Sequence, residues 1–247
     1  MPHWLLLSVL LSGLPVTAVQ AESILEKIDR SLPAIVGIKA RNPAFRKGDG
    51  QIAIPVGEHS LALEPFAAGQ FERTGAGVLI DRKGLLVTNA HIVANADELS
   101  VILENGNIYE GKLLYTAADN DVAFLKAPLP AGIRPIPWGD SDALKLGDAV
   151  VTVGHSELLF HTISGGKITG LGTSRSEKEK GNADTALLQT SINLYKGDSG
   201  GPLLNHEGQL VGLMAAQETS GNFQSFAIPV NKIREQYDRF RSASEEP

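Results

Sequence analysis

The stretch Gly197-Asp198-Ser199-Gly200-Gly201-Pro202 places a serine in a glycine-rich turn between two apolar segments. A serine hydroxyl becomes an effective nucleophile only when a base removes its proton, so the stretch predicts a histidine and an orienting carboxylate elsewhere. Glycines beside such a serine allow a sharp turn and leave backbone N–H groups free to bind an oxyanion. A plain hairpin turn and the nucleophile elbow of α/β-hydrolases are alternative interpretations. The rest of the sequence distinguishes among these three interpretations: a catalytic serine with a separate histidine and carboxylate, a plain turn and a hydrolase elbow.

Composition limits the classes of function. The chain has 247 residues, enough for one large or two small domains, and its 43% hydrophobic and 20% charged residues are typical of a globular protein. The net charge of −6 gives no general attraction to nucleic acid or to an anionic membrane, so neither is expected as a partner. The chain has no cysteine, which excludes disulfides, a thiol nucleophile and a thiolate metal site.

The N-terminal segment predicts export. Residues Trp4–Val19 carry no charge and include the apolar run Leu5–Leu11, while Val19-Gln20-Ala21 resembles a signal peptidase site. We therefore expect a signal peptide at 1–21, a mature chain from Glu22 and a periplasmic or secreted location. An uncleaved anchor is the alternative, and after cleavage we expect no stable membrane insertion.

Short β-rich segments follow one another at close spacing and predict an all-β fold. A proline-rich connector after Lys126 divides them into two sets of six, which suggests two β-barrels. Helical periodicity is confined to Glu22–Arg30 and Val230–Arg241. We expect one protease-sized domain at 22–247, with the N-terminal helix and first barrel at 22–128 and the second barrel and C-terminal helix at 129–247; 41–73 is expected to be a long surface loop. The predicted strands are Ala34–Ile38, Gly75–Ile80, Leu85–Asn89, Leu99–Glu104, Ile108–Thr116, Val122–Lys126, Ala149–Gly154, Thr162–Leu171, Ala186–Ile192, Pro202–Leu204, Gln209–Ala216 and Phe223–Ile228.

Two residues are candidates to complete a catalytic set with Ser199. His91 ends an apolar strand, and Asp121 directly precedes the apolar segment Val122–Leu125. A carboxylate at the end of a buried strand can be desolvated and still accept a hydrogen bond from an imidazole. Asp119 would face the same side of an extended segment, but it lies in the polar turn and not beside the core. Each residue alone has an ordinary structural explanation, His91 as a strand end and Asp121 as a turn residue.

Chain order removes one interpretation. An α/β-hydrolase needs its acid and then its histidine after the serine, but here only His206 follows, in the predicted hairpin turn Asn205–Gly208. The order His91, Asp121, Ser199 is instead one of the known orders of a His-Asp-Ser triad. The hydrolase elbow is therefore excluded.

Three blocks of this sequence resemble the signature blocks of trypsin-like serine proteases. They are Thr88-Asn89-Ala90-His91-Ile92-Val93, Asp121-Val122-Ala123 and Gly197-Asp198-Ser199-Gly200-Gly201-Pro202. Flanking segments resemble the bacterial HtrA/Deg branch, and the similarity runs from about Ile24 to Ile233. These segments are 74–80, 140–148, 188–190 and 226–229.

The resemblance implies two six-stranded antiparallel β-barrels of chymotrypsin type with the active site between them. His91 would act as general base and then acid, Asp121 as its orienting carboxylate and Ser199 as the nucleophile that becomes acylated. The backbone N–H groups of Gly197 and Ser199 would form the oxyanion hole. The family often forms trimers, so a homotrimer and a monomer are both open. Since 48 residues follow Ser199, we expect the C-terminal PDZ domain typical of the family to be absent.

Two departures from the family pattern concern the loops near the serine. Asp198 replaces the usual asparagine of Gly-Asn-Ser, and its partner is not evident from the sequence. A Gly-His-Ser-Glu-Leu segment at 154–158 replaces the family's Gly-Asn-Pro-Phe-Gly block. Its His155 and Glu157, together with His161, suggest metal ligands only weakly, so we expect no metal and no other cofactor.

The residues before the serine block are candidates for the primary specificity pocket. These are Asn193, Leu194 and Tyr195, and because none is acidic, we expect a small or medium apolar side chain in the pocket and not lysine or arginine. Met214, Ala215 and Ala216 are expected to pair with an extended substrate backbone.

The sequence therefore favours an exported endopeptidase acting on unfolded or extended polypeptides. A protease-fold binding or chaperone-like module with little or no proteolysis is the alternative.

Overall fold

The computed structural model describes residues 26–42, 53–56, 59–62, 71–156, 159–172, 187–218 and 224–245. The expected signal peptide at 1–21 lies outside these residues. Helical residues are 26–31 (α1), Ala90–Val93 (α2) and Val230–Glu245 (α3), with 3-10 turns at Leu32–Ala34 and Ala118–Asn120. The strands are β1 Ile35–Asn42, β2 Ala53–Val56, β3 His59–Ala62, β4 Phe71–Leu79, β5 Leu85–Thr88, β6 Glu98–Ile102, β7 Ile108–Glu110, β8 Lys112–Ala117, β9 Val122–Lys126, β10 Ala149–Ser156, β11 Leu159–Gly172, β12 Leu187–Thr190, β13 Pro202–Leu204, β14 Leu210–Glu218 and β15 Gln224–Pro229.

The first half of the chain forms a curled antiparallel sheet. Its seven strands run in the order β7-β6-β1-β4-β5-β9-β8. Only Gly111 separates β7 from β8, so the two edges of the sheet belong to one extended segment. The sheet must therefore curl until its edges approach each other, and six chain segments build it, as the sequence predicted.

The second half forms a closed six-stranded barrel. Its strands run in the order β10-β11-β12-β15-β14-β13, and every neighbouring pair is antiparallel. The prediction of an all-β, chymotrypsin-like fold with short terminal helices is confirmed. The proposed division between the two units at residue 128 stays a prediction.

Two local expectations differ from the structure. Residues 41–73 were expected to be loop, but β2 and β3 pair with each other inside this segment. His91 was expected to end a strand, but it lies in α2, a helix of a single turn. Four helical residues contain little more than one period, so hydrophobic periodicity could not reveal α2.

Strands β13–β15 are buried on both faces. One face contributes Leu203, Val211, Met214 and Ala227 to the interior of the second barrel. The other face joins a larger core that includes most apolar side chains of the first sheet, and its members from these strands are Leu204, Leu210, Leu213 and Ile228. Burial on both faces explains why these strands read as continuous apolar runs and not as alternating ones.

Helix α3 packs against the first sheet. Phe240 stacks on Phe124 with ring centroids 5.5 Å apart, and Tyr237 packs against Trp138 at 5.8 Å. The Tyr115 hydroxyl donates a hydrogen bond to Gln236 Oε1 at 3.1 Å. In the part of the chain that the structure describes, no helix is long and apolar enough to cross a membrane.

Candidate active site

Helix α2 presents His91 at the end of β5. The Ala90 N–H and the Asn89 side-chain amide both donate to the Asp121 carbonyl oxygen, at 3.1 and 3.2 Å. These bonds attach the start of α2 to the residue that precedes β9. His91 is therefore held beside Asp121 through the backbone as well as through its side chain.

Asp121 orients the imidazole of His91. Its carboxylate oxygens lie 2.8 and 3.0 Å from His91 Nδ1, and Oδ1 also accepts the His91 N–H at 2.9 Å. Both residues are buried, with 7% of their surface exposed. Such a carboxylate favours the tautomer that carries its proton on Nδ1, which leaves Nε2 free to accept a proton.

The backbone conformation distinguishes Asp121 from Asp119. Asp121 adopts a left-handed conformation with φ 53° and ψ 39° at the end of the 3-10 turn, a region that aspartate tolerates better than most residues. Asp119 lies within that turn and is exposed. The segment is helical and not extended, so the expectation that the two carboxylates share a face is wrong.

Ser199 lies against the first sheet. Its carbonyl oxygen accepts the Ala76 N–H of β4 at 2.7 Å, which connects the serine loop to the strand beside β5. The Ser199 hydroxyl donates to the Ala215 carbonyl oxygen at 3.3 Å. Gly200 makes this approach possible, since it has φ +82° and an added Cβ would lie 2.1 Å from the Ala76 carbonyl oxygen.

The two expected oxyanion donors lie on either side of Asp198. Gly197 has φ 103°, and its carbonyl oxygen accepts the His155 N–H at 3.4 Å. Among the residues that the structure describes, no acceptor takes the N–H of Gly197 or of Ser199. Both donors are therefore available to a ligand.

Asp198 carries a buried carboxyl group. Its Oδ2 accepts the Tyr195 N–H at 2.8 Å, while Oδ1 has no hydrogen-bond partner within the described part of the chain. Gly154 packs directly on it, because an added Cβ there would lie 1.6 Å from Oδ1. Burial raises the pKa of the Asp198 carboxyl, and the Tyr195 hydrogen bond opposes this with a smaller effect.

The predicted substrate-binding residues lie on both sides of the serine. Asn193 and Tyr195 are exposed, whereas Leu194 is half-buried against the second barrel's core. Met214 is buried, and its N–H and carbonyl groups bond to Gly201 and Gly200. The remaining two predicted residues, Ala215 and Ala216, follow it on β14, where the pairing with β15 shifts register between Met214 and Ala216.

The two histidines near β10 and β11 contact the first sheet. The His161 ring donates from Nε2 to the Ile35 carbonyl oxygen at 3.3 Å, and its Nδ1 lies 3.7 Å from Glu104 Oε1. The His155 ring lies over Gly37, and burial lowers its pKa. Glu157, the third residue of the weak metal hypothesis, lies outside the described residues.

Two residues that support the site were not predicted from the sequence. The Arg73 guanidinium of β4 donates to the His91 carbonyl oxygen, and the Thr88 hydroxyl donates to the Ala76 carbonyl oxygen at 2.7 Å. Strand periodicity could have suggested Arg73, since it shares a face of β4 with Gly75, whose added Cβ would contact Ile92 and the Ser199 carbonyl oxygen.

Comparison with known proteins places these features in context. The family described as trypsin-like peptidase domain matches residues 75–213. The serine protease HTRA1A of Danio rerio is 38% identical over 172 residues, which cover 67% of this chain and 35% of that protein. The periplasmic serine endoprotease DegP of Escherichia coli is 35% identical over 244 residues, covering 88% and 51% of the two chains. The periplasmic pH-dependent serine endoprotease DegQ of the same organism is 31% identical over 225 residues, covering 86% and 47%.

The chain spans between about a third and a half of the length of these relatives.

Proposed function

Because the chain belongs to the family of trypsin-like peptidase domains, we propose that it is a serine endopeptidase that hydrolyses unfolded or extended polypeptides. The observation that carries the proposal is the buried pair of His91 and Asp121, with His91 Nδ1 2.8 Å from Asp121 Oδ2. The docking of the Ser199 carbonyl on Ala76 supports it, since this contact brings the serine loop to the same end of the first sheet.

In the proposed mechanism, His91 Nε2 removes the proton of the Ser199 hydroxyl as Oγ attacks the carbonyl carbon of the scissile bond. Asp121 holds the imidazole and stabilises the positive charge that it acquires. The imidazolium then protonates the leaving amine, and an acyl-enzyme remains on Oγ. Water, activated by His91, releases the acid and restores Ser199.

The N–H groups of Gly197 and Ser199 stabilise the oxyanion in both tetrahedral intermediates. Removing one such donor in comparable enzymes costs about 3–4 kcal/mol of transition-state stabilisation. The Ser199 hydroxyl must turn from the Ala215 carbonyl towards His91 before attack. Such rearrangements are common, because catalytic hydrogen bonds often tighten only when substrate binds.

The proposed substrate lies as an extended strand along Ala215 and Ala216, with its primary side chain beside Asn193, Leu194 and Tyr195. No acidic side chain is present among these three residues, so the proposal keeps a preference for apolar side chains. We also propose that the chain is exported to the periplasm or the exterior. It would act there as a monomer or a trimer.

Activity-based labelling tests the triad. We expect the chain from Glu22 to react with a fluorophosphonate probe and Ser199→Ala to show no labelling. Asp121→Asn should lower the labelling rate by roughly 10³–10⁴-fold, because the amide favours the wrong tautomer of His91. Asp119→Asn is the matched control and should label at the wild-type rate.

Wild-type labelling in Asp121→Asn would contradict the choice of carboxylate.

One observation favours the second candidate, a binding or chaperone-like module. The Ser199 hydroxyl bonds to Ala215, and the described residues give it no hydrogen bond to His91. Protein that neither labels nor cleaves casein, but still suppresses aggregation of an unfolded polypeptide, would establish this second function instead.

A further inference from the structure

Within the described part of the chain, the carboxyl group of Asp198 has no charged partner. The side chain is fully buried, and none of the described lysine, arginine or histidine side chains pairs with it. Its Oδ1 contacts Gly154 and accepts no hydrogen bond from the residues that the structure describes, while Oδ2 accepts the Tyr195 N–H. A carboxylate in this position would leave a negative charge buried and uncompensated.

The described titratable groups around Asp198 do not supply a positive charge that would compensate a carboxylate there. On the packed strands these are His155, whose pKa is lowered by its own burial, and His161, which pairs with Glu104. The serine loop itself carries Tyr195 and Lys196, both exposed. On the other side of Ser199, the Nδ1 of His91 is already hydrogen-bonded to Asp121 Oδ2. A neutral carboxylic acid therefore fits the surroundings of Asp198 better than a carboxylate.

Asp198 connects directly to the groups that the reaction needs. It lies between the two oxyanion donors in the chain, and its carbonyl oxygen accepts the Gly201 N–H at 2.9 Å. Its hydrogen bond to the Tyr195 N–H spans the turn that contains Gly197. If the side chain moved out to reach water, this bond would break and the turn would lose its fixed shape.

We propose that Asp198 is a positioning residue that holds the oxyanion loop in shape while it is protonated and releases the loop when it ionises. The inference rests on the proposed peptidase function and adds a pH dependence to it. Because burial raises the pKa of the Asp198 carboxyl, we expect this group to ionise at a higher pH than an ordinary aspartate does. His91 acts as a base only when it is neutral, and the loop keeps its shape only while Asp198 is protonated, so the rate should fall as the pH rises through the titration of Asp198.

The test compares wild type with Asp198→Asn, which keeps the shape of the side chain and cannot ionise. We expect the wild-type labelling rate to show a bell-shaped pH profile whose alkaline limb falls about tenfold per pH unit. Asp198→Asn should keep the acid limb and lose the alkaline one. Asp238→Asn, an exposed change on α3, should keep both limbs. Identical profiles for wild type and Asp198→Asn would overturn the inference.

A second readout does not depend on catalysis. Hydrogen exchange of the segment 195–201 should lose protection in the wild type at the pH where labelling falls, and Asp198→Asn should stay protected at the same pH. If no protein labels at any pH, the proposed function fails, and exchange alone decides the inference. If Asp198→Asn does not fold, coincidence of the two wild-type transitions supports the inference and their separation overturns it.

Discussion

At Gly154, the space beside the Asp198 carboxyl leaves no room for a side chain. An added Cβ would lie 1.6 Å from Oδ1, far inside van der Waals contact. Gly154→Ala should therefore push the serine loop away from β10, costing about 1–3 kcal/mol in the free energy of unfolding. Labelling of Ser199 should fall as well, because the displaced loop carries the N–H groups that we propose as oxyanion donors.

The neighbouring strand offers a matched control for this prediction. Gly165 of β11 is exposed, and an added Cβ there would meet nothing within 4 Å. Gly165→Ala should change the unfolding free energy by less than about 1 kcal/mol and leave labelling intact. Urea denaturation and probe labelling of the two variants check the pair; equal losses in both would contradict the role assigned to Gly154.

Single residues also show how much of the site the sequence could reveal. The prediction selected His91 and Asp121, and the structure brings their side chains to 2.8 Å. The left-handed backbone of Asp121 was not predictable, because aspartate adopts it only in response to the turn before it. The same holds for the contact of Arg73 with the His91 carbonyl oxygen, which depends on how β4 lies against α2.

At the scale of elements, α3 is attached to the first sheet by aromatic packing. Phe240 lies 5.5 Å from Phe124 and 5.9 Å from Tyr115, measured between ring centroids. Phe240→Ala should lower the unfolding free energy by about 2–3 kcal/mol, somewhat less than for a fully buried phenylalanine because Phe240 is half-buried. Thermal or urea denaturation measures this loss.

The control for α3 is Arg239→Ala on the exposed side of the same helix. This change should shift the unfolding free energy by no more than about 0.5 kcal/mol. A similar loss in both variants would mean that helix propensity, and not aromatic packing, sets the contribution of α3.

The elements themselves were largely visible in the sequence. Val122–Lys126 and Pro202–Leu204 were predicted with the bounds that the structure has, because turn residues flank both apolar runs. The strand predicted at Ile108–Thr116 is divided at Gly111, whose N–H donates to the Leu99 carbonyl oxygen at 2.8 Å. That division depends on how the sheet curls, a tertiary property that local periodicity does not carry.

At the scale of the molecule, one core extends across both sheets. It contains Leu86 and Phe124 of the first sheet and Leu213 of the second barrel. The segment between the sheets adds backbone contacts to each. The Ile136 N–H donates to the Leu79 carbonyl oxygen of the first sheet, and the Leu210 N–H of the second barrel donates to the Pro137 carbonyl oxygen at 2.8 Å. Independent unfolding of either sheet would expose part of this shared core to water.

We therefore expect the chain from Glu22 to unfold in a single transition. Trp138, which packs on Tyr237 of α3, is then its only tryptophan, so fluorescence reports on the shared core while far-UV circular dichroism reports on all strands. Leu213→Ala and Met214→Ala remove neighbouring, fully buried side chains that face different cores. Each should lower the unfolding free energy by about 2–5 kcal/mol and keep the two probes coincident. If Met214→Ala shifted the dichroism transition alone and left that of Trp138 unchanged, the first sheet and the second barrel would be independent folding units, and contacts through the shared core would not couple them.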